Sequence, residues 1–261
     1  MILASDLHLA RTDPSDIEAL LAACLSTEQN PERAVALAGD LVQHSSREEY
    51  ALAGEFLAAL LDNGLTVVLT PGNHDFGQVL GEKFGTKGRK RFAALLEAVL
   101  AQEAVVATQD FDSITAIGDE LFVALASTQR GQGRKLYVAG ENRIRRKQIE
   151  WAAEALGSVV CERRRLHLVT HRSLWSNAED DHGRMVRKGR LERELLEPLE
   201  FHTFIHGHNH RFVCEDRETP RTGYGIRRIA LPTLSSRDRG WERGWVSWRL
   251  PDGAPELKGV G

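Results

Sequence analysis

Five apolar runs in this 261-residue chain stop at an acid, an amide or an imidazole, and any fold must account for all five. Residues 1–4 lead into Ser5-Asp6-Leu7-His8, residues 34–38 into Gly39-Asp40, and residues 65–70 into Pro71-Gly72-Asn73-His74-Asp75. Later, residues 165–170 end at His171, and residues 201–205 end in His206-Gly207-His208-Asn209-His210. Short apolar runs rich in β-branched residues read as strands buried on both faces, as in parallel sheets. Open α/β sheets carry their chemistry at the carboxyl ends of such strands. The polar residues are therefore expected at the carboxyl ends of five separate strands.

Helices are expected between the first three strands. Asp13 and Pro14 supply a cap and a first-turn residue, and Ile17, Leu20, Leu21, Cys24 and Leu25 keep a helical stripe. Ser46 and Glu49 are spaced as a capping box before Leu52, Phe56 and Leu60, and Asn63-Gly64 closes that helix. Right-handed crossovers then bring the first three strand ends to one side of one sheet. Residues 77–91, glycine-rich and basic, read as a mobile loop beside that edge. Phe92, Leu95, Leu96, Val99 and Leu100 mark a third helix. Short strands at 104–107, 113–117 and 121–126 lie close enough in sequence to suggest antiparallel pairing. A helix from Ile144, another carrying Leu191, Leu195, Leu196 and Leu199, and strands at 226–231 and 245–250 complete the reading.

Composition narrows the class. A net charge of -3 with 42% hydrophobic and 27% charged residues gives no global attraction to nucleic acid or membrane, so a basic partner surface must be local. Residues 1–261 read as one domain with basic loop insertions near 77–91, 129–147 and 178–193. Residues 130–147 hold seven Lys or Arg against Glu141 alone. Cys24, Cys161 and Cys214 are far apart and fit no metal spacing, which suggests buried free thiols in a reducing compartment. With no secretory or membrane-spanning segment visible, a cytoplasmic location is expected.

Carboxylate oxygen, imidazole nitrogen and amide oxygen are donors for borderline divalent metals. Asp6, His8, Asp40, Asn73, His171, His208 and His210 are too many for one tetrahedral site, and they suit two metals sharing one carboxylate.

The blocks D-x-H, G-D, G-N-H-D, a lone H and G-H-x-H occur here in order. They are Asp6-Leu7-His8, Gly39-Asp40, Gly72-Asn73-His74-Asp75, His171 and Gly207-His208-Asn209-His210. In this the chain resembles the calcineurin-like metallophosphoesterase superfamily over about residues 3–210. The resemblance implies an α/β fold, a four-layer α/β/β/α sandwich of two mixed sheets flanked by helices. It implies that Asp6, His8, Asp40 and His210 bind one metal, that Asp40, Asn73, His171 and His208 bind the other, and that Asp40 bridges them. It also implies that His74 contacts the phosphate or protonates the leaving oxygen. Asp75 would orient the His74 ring, or else serve only the turn.

One departure stands out. Relatives often have two histidines and a proline at the lone-histidine block, where this chain has His171-Arg172-Ser173. His206 reads as packed behind the ligands, His167 and His202 as structural, and His182 as part of a cap. His44 could reach the substrate or merely begin a helix.

The implied activity is phosphoester hydrolysis by two divalent ions, manganese favoured over iron, zinc or cobalt, with a hydroxide between them as nucleophile. The preferred substrate is a small or nucleotide-like phosphodiester, by likeness to small bacterial cyclic-nucleotide-type phosphodiesterases. The alternatives are a nuclease, drawing on the basic stretches and Trp241 and Trp245, a phosphomonoesterase, and a non-hydrolytic binding module.

Overall fold

The computed structural model describes residues 1–77, 86–127, 144–159, 165–174, 198–218, 223–235, 241–250 and 252–260. In chain order the elements are β1 (Ile2–Ala4), α1 (Pro14–Leu25), β2 (Ala34–Leu37), α2 (Arg47–Asp62), β3 (Thr66–Leu69), α3 (Thr86–Leu100), β4 (Val105–Gln109), β5 (Asp112–Ile117) and β6 (Glu120–Ala124). They continue with α4 (Arg146–Val159), β7 (Arg165–Thr170), β8 (Thr203–His206), β9 (Val213–Glu218), β10 (Gly225–Ala230), β11 (Gly244–Ser247) and β12 (Glu256–Gly259). One sheet has the order β12-β11-β1-β2-β3, the other β4-β5-β6-β7-β8-β10-β9.

Alternation along the strands sorts the apolar side chains into layers, because successive residues point to opposite faces. Ile2, Val35, Leu37, Val67 and Leu69 face α1, α2 and α3, where they meet Leu20, Phe56, Leu60 and Phe92. Leu3, Ala36 and Val68 face the other way and pack on Phe122, Val169, Ile205 and Ile229 of the second sheet. That sheet's far face puts Val123, Leu168 and Phe204 against Ile149, Ala152 and Leu156 of α4. Two mixed sheets flanked by helices thus form the expected sandwich.

β1, β2 and β3 run parallel in register, with Leu3 opposite Ala36 and Ala36 opposite Val68. β7 and β8 are parallel neighbours in the second sheet, with Thr170 opposite His206. The five polar strand ends therefore come three from one sheet and two from the other. β4, β5 and β6 pair antiparallel, as their short spacing suggests. The caps are as read: the Asp13 side chain accepts from Ser15 N–H, and Ser46 and Glu49 form a reciprocal capping box.

Residues 86–91 are helical, which corrects the loop reading of 77–91. Tertiary contacts override their weak local preference. Tyr50 Oη donates to the Gly88 carbonyl at 3.4 Å, Arg91 donates to the Ser45 carbonyl, and the Arg89 guanidinium lies over Phe76 and Phe111. Residues 78–85, most of the basic stretch at 129–147, the whole of 178–193 with His182, and Cys161 lie outside the described residues. No helix among the described residues is long and apolar enough to cross a membrane.

Candidate metal centre

The loops after β1 and β2 run side by side. Asp6 N–H donates to the Gly39 carbonyl at 2.9 Å, and His8 N–H to the Asp40 carbonyl at 3.1 Å. The sheets meet here: His171 Nδ1 lies 2.8 Å from the Ala38 carbonyl, and His208 N–H donates to Asp6 Oδ2 at 2.8 Å. Such closeness requires glycine. A Cβ on Gly72 would overlap Asp40 Oδ1, and one on Gly207 would overlap Ser5 Oγ.

Two groups of donors result. Ligand atoms of Asp6, His8 and His210 lie within 4.8 Å of one another, as do those of Asp40, His171 and His208. His210 Nε2 is 3.1 Å from Asp6 Oδ1, and His171 Nε2 is 3.1 Å from Asp40 Oδ2. Asn73 joins the second group through Oδ1, 3.2 Å from His171 Nε2.

Three features fit these donors to metal ions. A carbonyl can only accept, so the contact with Ala38 puts the His171 proton on Nδ1 and leaves Nε2 as the donor atom. The Val42 carbonyl, 3.3 Å from His8 Nδ1, does the same for His8. Metal-bound histidines are habitually oriented in this way. Next, Asp6, His8, Asp40, His208 and His210 all have positive φ, between 41° and 70°. Left-handed backbone at non-glycine residues costs about 1–3 kcal/mol each and concentrates at functional sites. Finally, the charge states suit ligation. Burial opposes ionisation of Asp6, yet His210 beside it holds its carboxyl well below the usual range. Burial opposes ionisation of Asp40 as well, and His171 prevails over it. Burial keeps His8 and His208 neutral. His171 is pushed up to about 9, with burial outweighed by Asp40, so a proton there competes with a metal.

His74 is placed by a residue the sequence reading did not select. Its Nδ1 lies 2.9 Å from the Gln43 carbonyl and 3.1 Å from Gln43 Nε2, while its backbone N–H donates to Asp40 Oδ1 at 2.7 Å. Asp75, expected to orient the His74 ring, has no hydrogen bond to it among the described residues. Its oxygens accept instead from the backbone N–H groups of Asp40, Leu41, Val42 and Gly72, at 2.8–3.2 Å. The turn geometry that aims Asp75 at these amides takes it away from the imidazole, leaving it the turn role. Burial and the neighbouring Asp40 push Asp75 up to about 7.

The remaining histidines stay outside both groups. His206 Nδ1 donates to the Gly207 carbonyl at 2.9 Å, and its Nε2 accepts from Arg228 Nε at 3.0 Å. Burial and that guanidinium push it down to about 3. His167 pairs with Glu120 at 2.6 Å inside the strands. The backbone N–H of His44 donates to Glu49 Oε2 at 2.8 Å, and its ring meets Arg11 at the surface. His202 Nδ1 accepts from Leu166 N–H at 3.4 Å.

The chain belongs to the calcineurin-like phosphoesterase family, whose sequence model matches residues 1–212. Members are dinuclear metal-dependent hydrolases acting on phosphoester bonds, and this chain is such an enzyme. No match is found among curated protein sequences. Among solved structures, the chain is similar to a dimetal phosphatase from Danio rerio, with TM-score 0.62 and 14% identity over 99% of this chain and 94% of that one. It is also similar to the purple acid phosphatase PPD1 from yellow lupin (Lupinus luteus) seeds, with TM-score 0.58 and 15% identity over 94% of this chain and 48% of that one. A third is TT1561 of Thermus thermophilus, with TM-score 0.55 and 11% identity over 98% and 97% of the two chains. Identities this low speak for the shared fold alone.

Proposed function

We propose that this enzyme hydrolyses a small or nucleotide-like phosphodiester at a pair of divalent metals, manganese by preference. Asp6, His8, Asp40 and His210 would hold one metal, and Asp40, Asn73, His171 and His208 the other. The observation that carries the reading is the pair of donor groups, Asp6-His8-His210 and Asp40-His171-His208, assembled from both sheets at one edge. When bound, the ions lower the pKa of water and stabilise charge building on the phosphoryl oxygens. The chain's own residues do the rest. His171 and His8, each tied by Nδ1 to a carbonyl, present Nε2 in a fixed orientation. With Nδ1 committed to the Gln43 carbonyl, His74 offers Nε2 to the substrate and, when protonated, gives that proton to the leaving oxygen. Asp75 keeps the backbone of residues 40–42 and 72 in place.

A nucleotide-like leaving group is supported by an aromatic surface beside the site. The Trp241 ring stands 5.8 Å from that of His210, with the Arg211 guanidinium 5.2 Å from the indole centroid. A base could pack against that cluster. The cytoplasmic setting belongs to the same proposal, supported by the free thiols of Cys24, which is buried, and Cys214, which is exposed on the edge strand β9 rather than buried as expected. The test is a hydrolysis panel with manganese comparing a generic diester, a monoester, cyclic nucleotides and single-stranded DNA, with Asn73→Ala as control. Preference for the diester or cyclic nucleotides is expected. Preference for the monoester or for DNA replaces the substrate class, and inactivity on all four with two metals bound defeats the assignment.

A further inference from the structure

His206 ends β8 two residues before the candidate ligand His208, and its ring is buried against Phe204, with ring centroids 5.1 Å apart. Arginine only donates, so the contact with Arg228 Nε at 3.0 Å requires His206 Nε2 to be bare and the ring proton to sit on Nδ1. The Gly207 carbonyl, 2.9 Å from Nδ1, requires the same tautomer. Two contacts on opposite sides of the ring thus make it a donor to one particular carbonyl. Arg228 is itself buried on β10, and its Nη1 donates to Glu215 Oε1 on β9 at 2.7 Å.

That carbonyl opens the turn on which His208 sits. It also accepts from Asn209 N–H at 2.9 Å, which closes a three-residue turn about His208, whose φ is 70°. Three-residue turns with positive φ at the central residue are rare and strained. A peptide unit is planar, so holding both ends of the Gly207–His208 peptide fixes its rotation and with it the φ of His208. Asp6 Oδ2 holds the N–H end at 2.8 Å, and His206 Nδ1 holds the carbonyl end. We propose that His206, kept in one tautomer by Arg228, is a positioning residue of the metal centre that pins the strained turn from which His208 reaches its metal. The inference rests on the ligand assignment proposed above. Without the Nδ1 donor the peptide is free to rotate and release its strain. Such a rotation swings the His208 ring and withdraws the N–H from Asp6 Oδ2, so one lost hydrogen bond disturbs a ligand from each sheet. A histidine that only filled space, or only satisfied Arg228, would have neither effect.

The test sets two amides in place of the imidazole. Asparagine puts its NH2 near the Nδ1 position and can still donate to the Gly207 carbonyl, whereas glutamine reaches the Nε2 position and can accept from Arg228 but leaves that carbonyl. The chelator-treated full chain of wild type, His206→Asn and His206→Gln is titrated with manganese by calorimetry, with circular dichroism to check folding. The tautomers of the metal-free wild type are read by nuclear magnetic resonance on isotope-labelled histidine. Wild type should bind two manganese ions and show His206 protonated on Nδ1. His206→Gln should bind the manganese held by the His208 group at least about tenfold more weakly, while His206→Asn loses much less. The reverse order would mean that the ring serves only to satisfy Arg228, and it overturns the proposal, as does unchanged affinity in His206→Gln or a proton on Nε2. Should one variant not fold, the other decides by the same criterion, and the tautomer decides if neither does. Fewer than two manganese ions in wild type removes the ligand assignment and this inference together, whereas two ions in wild type with any of the contrary results removes this inference alone.

Discussion

Asp75 accepts four backbone N–H bonds, and an asparagine in its place would turn an NH2 group toward two of those donors. Unsatisfied buried donors cost about 1–3 kcal/mol each, so Asp75→Asn should lower stability by about 2–6 kcal/mol in denaturant unfolding. His74→Ala removes only the ring's contacts with Gln43 and should lower stability far less than Asp75→Asn, while kcat falls about 10²-fold or more. If Asp75→Asn left stability unchanged, the turn role assigned to Asp75 would be wrong. These two neighbours illustrate what is legible at this scale. The candidate ligands could be read because metal chemistry restricts residue type and strand ends restrict position. Most partners of Asp75 and His74 could not, because all but Gly72 lie some 30 residues away and their approach depends on how two loops lie together. Gln43 gave no signal for the same reason: its carbonyl, which any residue would supply, makes the closest contact.

Among the elements, Asp112 ties β5 to the end of β6 and to α4. It accepts from Ala126 N–H and from Gln148 Nε2, each at 2.8 Å. Burial pushes it up to about 7, so the folded protein holds its proton more tightly than the unfolded chain does. A carboxyl shifted upward stabilises the fold below its unfolded pKa, and that stabilisation disappears as pH rises through about 7. Asp112→Asn removes this loss, so its stability relative to wild type should increase from pH 4 to pH 8 in parallel urea titrations. A difference constant with pH would contradict the shift. Gly207→Ala tests the closeness of the sheets, since the added methyl meets Ser5 beside Asp6; manganese affinity in a direct titration should fall by at least about tenfold. The long helices and buried strands were legible from period and caps. β9 (Val-Cys-Glu-Asp-Arg-Glu) and β12 (Glu-Leu-Lys-Gly) were not, because polar edge strands carry little hydrophobic pattern. The first turns of α3 were hidden as well, since contacts with Phe76, Phe111 and Ser45 hold them.

For the whole molecule, motif order in the sequence anticipated the sandwich but not its full topology. β11 enters antiparallel beside β1, and β10 lies between β8 and β9; both arrangements depend on long-range pairing without a local signature. The sheets converge on Asp6 and Asp40, two carboxylates buried beside each other. Metal ions bind only the folded arrangement, so manganese at a hundred times its dissociation constant should add about 2.7 kcal/mol per site, and chelation should lower the melting temperature reversibly. The central claim is that the two donor groups hold two metals and that hydrolysis needs both. Manganese titration of the chelated chain, with bound metal counted and diester hydrolysis followed in the same samples, tests it most directly. The expected result is two manganese ions per chain, with activity appearing as the second binds and neither full occupancy nor activity in Asn73→Ala. Hydrolysis without metal, or full activity with one ion bound, would contradict it.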